Sequence, residues 1–243
     1  MRHNNETLFA DNVSAKSVIA HRGASAFAPE NTLAAFRKAK ELGAKWVECD
    51  VQLTKDGKAI IFHDSRLNRT TNGFGWVKRK TYTYLSTLDA GKGETIPTLE
   101  ATLGCLDALS LNLHLEIKPA FSRIRQTSQT VMDILHNTPL KNTKIWVSSF
   151  SPHMLYAVRK LDATIPIGLA LDHWNPFWKK HAERLSCVSI HCAKRLLTPK
   201  RIAAIKNTGR QVLAFTVNNR EEAENLYQMG VDAVFSDYPN LCA

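Results

Sequence analysis

The sequence predicts a single (β/α)₈ barrel, a fold class indicated by three observations. Short β-rich runs alternate with helical segments, at roughly 30 residues per strand–helix unit. Eight main strands can be counted, and 243 residues is a common length for one α/β barrel. Such alternation implies parallel strands with right-handed crossovers, and eight strands favour a closed barrel over an open doubly wound sheet. We therefore expect one domain covering residues 1–243.

The strands are predicted from short apolar runs that end at turn residues. SVIAH (17–21) precedes a glycine, and WVECDVQL (46–53) has the alternation of a strand. TKDG then gives a turn, and KAIIFH (58–63) is expected to extend the second strand as a hairpin. The other main strands are predicted at 111–118, 144–149, 166–171, 187–191, 211–217 and 232–236.

Helices are predicted between these strands. In NTLAAFRKAKELG, apolar residues recur at helical spacing, Asn31 or Thr32 can cap the start, and Gly43 can end the helix. We interpret Asn31 as a capping residue and not as a catalytic one. Further helices are expected near 98–109, 122–136, 152–161, 176–185, 199–208 and 220–229. The segment 64–97 has turn chemistry and little periodicity, so we predict a small insertion over the barrel mouth.

The composition is that of an ordinary globular protein, with a basic excess. Lys and Arg total 32 against 22 Asp and Glu, a formal net charge of +10 that can steer small anions, nucleic acid or membrane surfaces. No dense basic tract is present, so bulk charge is weak support for nucleic-acid binding. Five scattered cysteines without a CxxC pair favour free thiols. The polar start of the chain and the absence of a long apolar run predict a cytoplasmic protein without membrane insertion.

Acidic residues lie on strands that should be buried. Glu48 and Asp50 share one face of the second strand, and His114, Glu116 and Lys118 share one face of the strand at 111–118. The opposite faces are apolar and suit packing against helices, so the acids should point into the barrel.

Converging carboxylates are costly unless positive charge neutralises them. A hard divalent cation with oxygen ligands would do so, which predicts a metal site formed by Glu48, Asp50 and Glu116. The alternatives are exposed acids at a sheet edge, or salt bridges to Lys118 and Arg22.

Two histidines fall where a strand meets its C-terminal loop, the face on which barrel active sites are built. His21 ends the first strand in AHRGA, and His63 ends the hairpin in FHD. Such a pair can supply a general acid and a general base. Arg22 offers a bidentate donor to a phosphate, and Lys118 a point charge beside the third acid. His114 is expected to support the site, and the remaining histidines, His191 among them, to be structural.

Seven segments occur in an order that resembles the glycerophosphodiester phosphodiesterase family, from about residue 18 to 239. They are AHRGASAFAPENTLAAF, GAKWVECDVQLTKDGKAIIFHD, RTTNGFGWV, IPTLEA, LHLEIKP, FTVN and GVDAVFSDYP. The resemblance implies a (β/α)₈ barrel with a small insertion after the second strand. It also implies hydrolysis of glycerophosphodiesters to glycerol 3-phosphate and an alcohol.

The resemblance also implies roles for individual residues. Mg²⁺ or Ca²⁺ would be the cofactor, and attack by the glycerol 2-hydroxyl would form a cyclic phosphate that water then opens. We assign His63 as acid and His21 as base, although the sequence gives no distances between them. The implied metal ligands are Glu48, Asp50 and Glu116, with Arg22 on the phosphate and Lys118 beside the metal.

One position departs from the family pattern. Many members have tryptophan where this chain has Phe215, in FTVN. The position is thought to line the pocket, so Phe215 bears on which departing alcohol is preferred. A phenyl ring can still form an apolar wall, and the chemistry need not change.

Two other functions are compatible with parts of the sequence. A lysophospholipase D-like barrel enzyme would need an apolar approach surface, and no amphipathic anchor helix is evident. A catalytically silent module that binds anions or nucleic acid would explain the charge of +10. It would not explain inward acids, which repel phosphate unless a metal intervenes.

Overall fold

The structure, a computed structural model, describes residues 16–119 and 121–241. Its eight parallel strands are β1 (Ser17–Ala20), β2 (Trp46–Leu53), β4 (Asn112–Ile117), β5 (Ile145–Ser149), β6 (Ile167–Leu171), β7 (Ser189–Ala193), β8 (Gln211–Phe215) and β9 (Ala233–Ser236). They form a closed barrel in the order β1-β9-β8-β7-β6-β5-β4-β2, and the β1–β2 pairing completes the ring. The predicted fold class is therefore confirmed.

The predicted hairpin extension is also present. Strand β3 (Ala59–Ile61) pairs with β2 in antiparallel register, with Val51 opposite Ile61. The connecting turn closes through Gly57, whose amide donates to the carbonyl of Thr54 (3.2 Å) and whose φ of +84° is easily adopted only by glycine. The hairpin carries the chain from the second strand to His63.

Helices follow the strands and cover the barrel. They are α1 (Leu33–Glu41), α2 (Tyr82–Leu85), α3 (Leu99–Leu109), α4 (Ile124–Asn137), α5 (Pro152–Leu161), α6 (Trp178–Arg184), α7 (Pro199–Lys206) and α8 (Arg220–Gln228). Thr98, Ser151, Thr198 and Asn219 cap α3, α5, α7 and α8 by accepting a backbone N–H in the first turn. Helix α2 lies in the segment for which no helix was predicted, because its four residues are too few for a periodic signal.

Apolar side chains form one layer between strands and helices and another inside the barrel. On β2, Val47, Cys49 and Val51 are fully buried in the outer layer, as their alternation predicts. The interior layer contains the indoles of Trp46 and Trp146, which meet edge to face with their centroids 5.5 Å apart. This apolar floor fills the barrel and leaves the polar residues of β2 and β4 above it.

The segment after β3 has an apolar cluster of its own, which includes Leu67, Val77 and Leu85. It is tied to the β2–β3 hairpin, since the Ile61 amide donates to the Pro97 carbonyl (2.9 Å) and the Lys55 amide to the Lys80 carbonyl (2.8 Å). The extension of one domain over residues 1–243, with an insertion at about 64–97, stays a prediction.

Candidate active site

A cavity of about 120 Å³ opens at the C-terminal ends of the barrel strands. This is the end at which barrel enzymes build their sites. All eight predicted site residues line the cavity: His21, Arg22, Glu48, Asp50, His63, Glu116, Lys118 and Phe215. The structure therefore brings together side chains that lie up to 194 positions apart in the sequence.

Three carboxylates converge at the centre of this cavity. Glu48 and Asp50 come from β2 and Glu116 from β4, with Asp50 directly opposite Glu116 in the strand register. One oxygen of each lies within 4.8 Å of the others, which is close enough for the three to hold a metal ion. Asp50 is 1% exposed and Glu48 4%, so the interpretation as exposed edge acids is wrong.

Two basic side chains contact this cluster. The Lys118 Nζ lies 2.7 Å from both Asp50 Oδ1 and Glu116 Oε1, and the Arg22 Nε lies 3.5 Å from Asp50 Oδ2. The salt bridges considered as an alternative to a metal site are therefore present. They compensate the acids unequally, because neither basic side chain forms a salt bridge with Glu48.

The pKa values of the three acids reflect this inequality. Burial and the charges of Asp50 and Glu116 raise the pKa of Glu48 well above its usual value, and burial with the charge of Asp50 raises the pKa of Glu116 to about 6. Burial opposes ionisation of Asp50 too, but Lys118 and Arg22 outweigh it and lower its pKa. Three oxygen-donor groups that lack sufficient positive charge fit a hard divalent cation.

Each predicted catalytic histidine is held by a carboxylate. The His21 Nδ1 lies 2.7 Å from Asp237 Oδ1, and the His63 Nδ1 lies 2.6 Å from Asp64 Oδ1. A carboxylate partner favours a proton on Nδ1 and leaves Nε2 free to exchange one with a ligand. Asp237 is fixed in turn by the Ser25 hydroxyl (2.8 Å) and the Asn218 amide (2.6 Å).

The two carboxylates that hold the histidines have lowered pKa values. Burial opposes the charge of Asp237, but the hydrogen bond and the charge of His21 outweigh it. Asp64 has a pKa of about 2, because hydrogen bonds from Arg69 and His63 outweigh its burial. Burial, with the charges of Lys118 and Arg22, lowers the pKa of His63 even though Asp50 and Asp64 act in the opposite direction.

The loop after β1 places Arg22 by an unusual backbone conformation. Arg22 has a φ of +56°, and its amide donates to Glu48 Oε2 (2.9 Å), so the loop also fixes one acid. The next residue must be glycine, because a Cβ on Gly23 would lie 2.7 Å from the backbone carbon of Ala35. The Arg22 Nη1 donates to Glu30 Oε1 (2.7 Å).

Asn31 has a different role from the one predicted. Thr32 caps α1, because its hydroxyl accepts the Ala35 amide (3.2 Å). The side chain of Asn31 instead donates to Asp50 Oδ2 (2.8 Å), and its oxygen accepts the Asp50 amide (3.3 Å). The interpretation as a helix cap was therefore wrong. Either residue type can begin a helix, and sequence alone does not show which one faces the second strand.

Aromatic and histidine side chains form the rest of the cavity wall. The rings of Phe215 and Phe150 meet edge to face, with centroids 5.6 Å apart. Below the acids, His114 is buried with its ring centroid 4.6 Å from that of His191, and burial lowers its pKa to about 3. The His191 Nε2 hydrogen-bonds with the Ser189 hydroxyl (2.8 Å).

Sequence reasoning missed the residues that orient the site. Asp64 and Asp237 hold the histidines and Glu30 holds Arg22. Arg69 in turn holds Glu30 and Asp64, yet none of the four was proposed. A signal existed, because they belong to the segments FHD, SDYP, PENT and RTTNG. Their roles depend on contacts between separate loops, which no single segment displays.

A closed (β/α)₈ barrel with an acidic cluster and two carboxylate-held histidines at its C-terminal mouth defines a class of barrel hydrolases, and its three acids are a donor set that could bind a metal ion. The glycerophosphoryl diester phosphodiesterase family model matches residues 21–241. The chain belongs to this family.

Individual relatives resemble the protein over nearly its whole length. The glycerophosphodiester phosphodiesterase of Caldanaerobacter subterraneus subsp. tengcongensis is 33% identical, covering 91% of this chain and 94% of its own. That of Bacillus altitudinis is also 33% identical, with 92% and 95% covered. Among solved structures, an Oleispira antarctica phosphodiesterase in complex with the product sn-glycerol-3-phosphate is 37% identical, with a TM-score of 0.90 over 93% of this chain and 94% of that one.

Among the residues that the structure describes, no helix has both the length and the apolar character to cross a bilayer.

Proposed function

We propose that the protein hydrolyses glycerophosphodiesters to sn-glycerol 3-phosphate and an alcohol, with one divalent cation and a pair of histidines. The observation that carries the proposal is the convergence of Glu48, Asp50 and Glu116 in a cavity that His21 and His63 also line. The product bound to the Oleispira antarctica phosphodiesterase, a relative of similar structure, supports the choice of substrate class.

Mg²⁺ or Ca²⁺ would be held by Glu48, Asp50 and Glu116. The bound cation would supply Lewis-acid stabilisation of charge on the phosphate oxygens. The raised pKa values of Glu48 and Glu116 support their assignment as ligands of a cation, because both acids would ionise fully beside one.

Arg22 and Lys118 would bind the non-bridging oxygens of the phosphate. Arg22 retains positive charge, because Asp50, Glu30 and Glu48 outweigh its burial and raise its pKa. Lys118 retains its charge for the same reason, with Asp50 and Glu116 as the partners. Both groups lie in the cavity wall and would stabilise charge that grows in the transition state.

The two histidines would transfer protons on either side of the phosphorus atom. His21, oriented by Asp237, would deprotonate the glycerol 2-hydroxyl as it attacks phosphorus, and His63, oriented by Asp64, would protonate the departing alcohol. Water, deprotonated by His63, would then open the resulting cyclic phosphate while His21 returns its proton to the 2-oxygen, which gives sn-glycerol 3-phosphate. The lowered pKa of His63 opposes this acid role in the free enzyme. A bound phosphodiester would counter that effect, since its negative charge raises the pKa of a neighbouring imidazole.

An assay of glycerol 3-phosphate release tests this proposal. The purified protein is incubated with Mg²⁺ or Ca²⁺ and a panel of glycerophosphodiesters. Lysophosphatidylcholine serves as the alternative substrate, and its hydrolysis to lysophosphatidic acid is followed by the release of choline, which glycerophosphocholine also releases. We expect release from glycerophosphocholine, and a loss of about 10²- to 10⁴-fold in turnover for His21→Ala and for His63→Ala.

The same panel separates the two histidines. With a p-nitrophenyl leaving group, which departs without a proton, His63→Ala should recover much of its loss and His21→Ala should not. Near-wild-type turnover of either variant on glycerophosphocholine would remove that histidine from the mechanism. A preference for lysophosphatidylcholine would favour the lysophospholipase D-like function instead.

A further inference from the structure

Arg69 lies where two parts of the site meet. Its guanidinium donates to both oxygens of Glu30, with Nη1 2.6 Å from Oε2 and Nη2 2.7 Å from Oε1. The same group donates to both oxygens of Asp64, with Nε 2.6 Å from Oδ2 and Nη2 3.1 Å from Oδ1. We name this arrangement of Arg69, Glu30 and Asp64 the Arg69 bridge.

Each carboxylate in the Arg69 bridge also contacts a residue of the proposed mechanism. Glu30 Oε1 also accepts the Arg22 Nη1 (2.7 Å), and Asp64 Oδ1 also contacts the His63 Nδ1 (2.6 Å). Glu30 lies on the loop before α1, Asp64 follows β3, and Arg69 belongs to the segment that the sequence predicts as an insertion. One guanidinium thus connects a phosphate-binding group with a proton-transferring group.

Ion pairs made by an exposed side chain usually contribute little to stability. The Arg69 side chain is 48% exposed, and isolated ion pairs at a surface contribute little. The Arg69 bridge differs because both carboxylates are engaged through two oxygens and are mostly buried, at 18% and 24% exposure. Arginine alone has the planar set of donors that this geometry requires, and lysine does not.

The charged groups of the Arg69 bridge stabilise one another in their ionised forms. Burial opposes the charge of Glu30, but Arg69 and Arg22 outweigh it and lower the pKa of Glu30. Hydrogen bonds to Glu30 and Asp64 raise the pKa of Arg69. Each carboxylate is therefore shared between Arg69 and a site residue, and the direction of its second contact is fixed.

We infer that Arg69 is a positioning residue that sets Arg22 and His63 in their working orientations at the same time. The inference rests on the proposed function, because it assigns Arg69 to the same reaction. Through Arg69, the segment after β3 contributes to catalysis, although Arg69 does not line the active-site cavity.

The test is steady-state kinetics of Arg69→Ala on glycerophosphocholine. Small displacements of catalytic groups are costly, so we expect kcat/KM to fall about 10- to 100-fold. Both constants should change, with KM raised through Arg22 and kcat lowered through His63. Millimolar guanidinium chloride should restore part of the activity, because it can occupy the space between Glu30 and Asp64. Arg69→Lys should lose less than Arg69→Ala and should not respond to guanidinium.

Arg66→Ala is the matched control. Arg66 is an exposed arginine of the same segment that stacks on Trp76, 4.4 Å from the ring centroid. Its removal should leave kcat and KM unchanged. Melting temperatures of all variants are measured alongside, because a loosened fold would lower the active fraction and therefore kcat alone.

Wild-type kinetics in the same assay distinguish this inference from the proposed function. If the wild type releases no glycerol 3-phosphate, the proposed function fails. If the wild type is active and Arg69→Ala keeps its kcat/KM, or loses only kcat without guanidinium rescue, the positioning role is wrong. Should Arg69→Ala not fold, the KM and kcat of Arg69→Lys decide in the same way.

Discussion

Glu48 and Glu116 show at the residue scale how a binding site opposes the stability of the fold that carries it. Glu48 is buried, Glu116 is mostly buried, and both lie near a third acid and have raised pKa values, so their ionisation is unfavourable in the metal-free fold. Hydrogen bonds and two basic side chains compensate Asp50 instead. The metal-free fold therefore leaves the charges of Glu48 and Glu116 incompletely compensated, and a bound cation would complete the compensation.

The pH dependence of stability tests this view of Glu116. Its pKa is about 6 in the fold against an ordinary 4.5, so between these pH values the folded state holds a proton that the unfolded state has released. Stability from this group therefore falls as pH rises through that window. Without metal, the melting temperature of Glu116→Gln relative to that of wild type should therefore rise as the pH is raised from 4.5 to above 6.

The comparison with wild type is needed because His63 acts in the opposite direction. Its lowered pKa gives a contribution that grows as pH rises, and this contribution is common to both proteins. If the melting temperatures of wild type and Glu116→Gln change in parallel with pH across the window, the raised pKa of Glu116 is contradicted.

Strand alternation was enough to predict the acids, since a residue pattern of period two determines which side chains enter the barrel. Glu48, Asp50 and Glu116 follow that pattern without any knowledge of distances. Asp64 and Asp237 do not, because they lie in loops where no period applies. Their contacts with His63 and His21 depend on side-chain directions that only the folded chain defines.

At the scale of the elements, the loop between β1 and α1 links helix capping to the acidic cluster of Glu48, Asp50 and Glu116. Thr32 begins the helix, and Asn31, with a φ of +58°, turns its side chain towards Asp50 on the neighbouring strand. The loop also supplies Arg22 and Glu30. One short connection therefore determines both where α1 starts and how Asp50 is oriented.

Asn31→Ala tests the second of these effects. The variant removes the hydrogen bond to Asp50 Oδ2 while Thr32 still caps α1, so the fold should be retained. Loss of a group that orients a metal ligand typically weakens binding about 10- to 100-fold. Calorimetric titration with Mg²⁺ and Ca²⁺ should show this loss. Thr32→Ala is the control, and it should lower the melting temperature without weakening metal binding. If Asn31→Ala and wild type bind the metal ion with equal affinity, the role of Asn31 is purely structural.

At the scale of the whole molecule, closure of the barrel assembles the site. The pairing of β1 with both β9 and β2 brings Asp237 next to His21, 216 positions away in the chain, and sets His21 beside the acids of β2. Counting strand–helix units predicted the number of strands and their parallel direction. Closure itself does not follow from that count, because an open sheet can have the same local pattern.

The central claim is that acids from two strands hold a catalytic cation between two histidines. The most direct measurement is glycerol 3-phosphate release from glycerophosphocholine by chelator-treated protein, as Mg²⁺ or Ca²⁺ is added back. We expect no activity after chelation, recovery in wild type, and no recovery in Glu48→Gln or Glu116→Gln. Full activity in excess chelator, or equal recovery in the variants, would contradict the account.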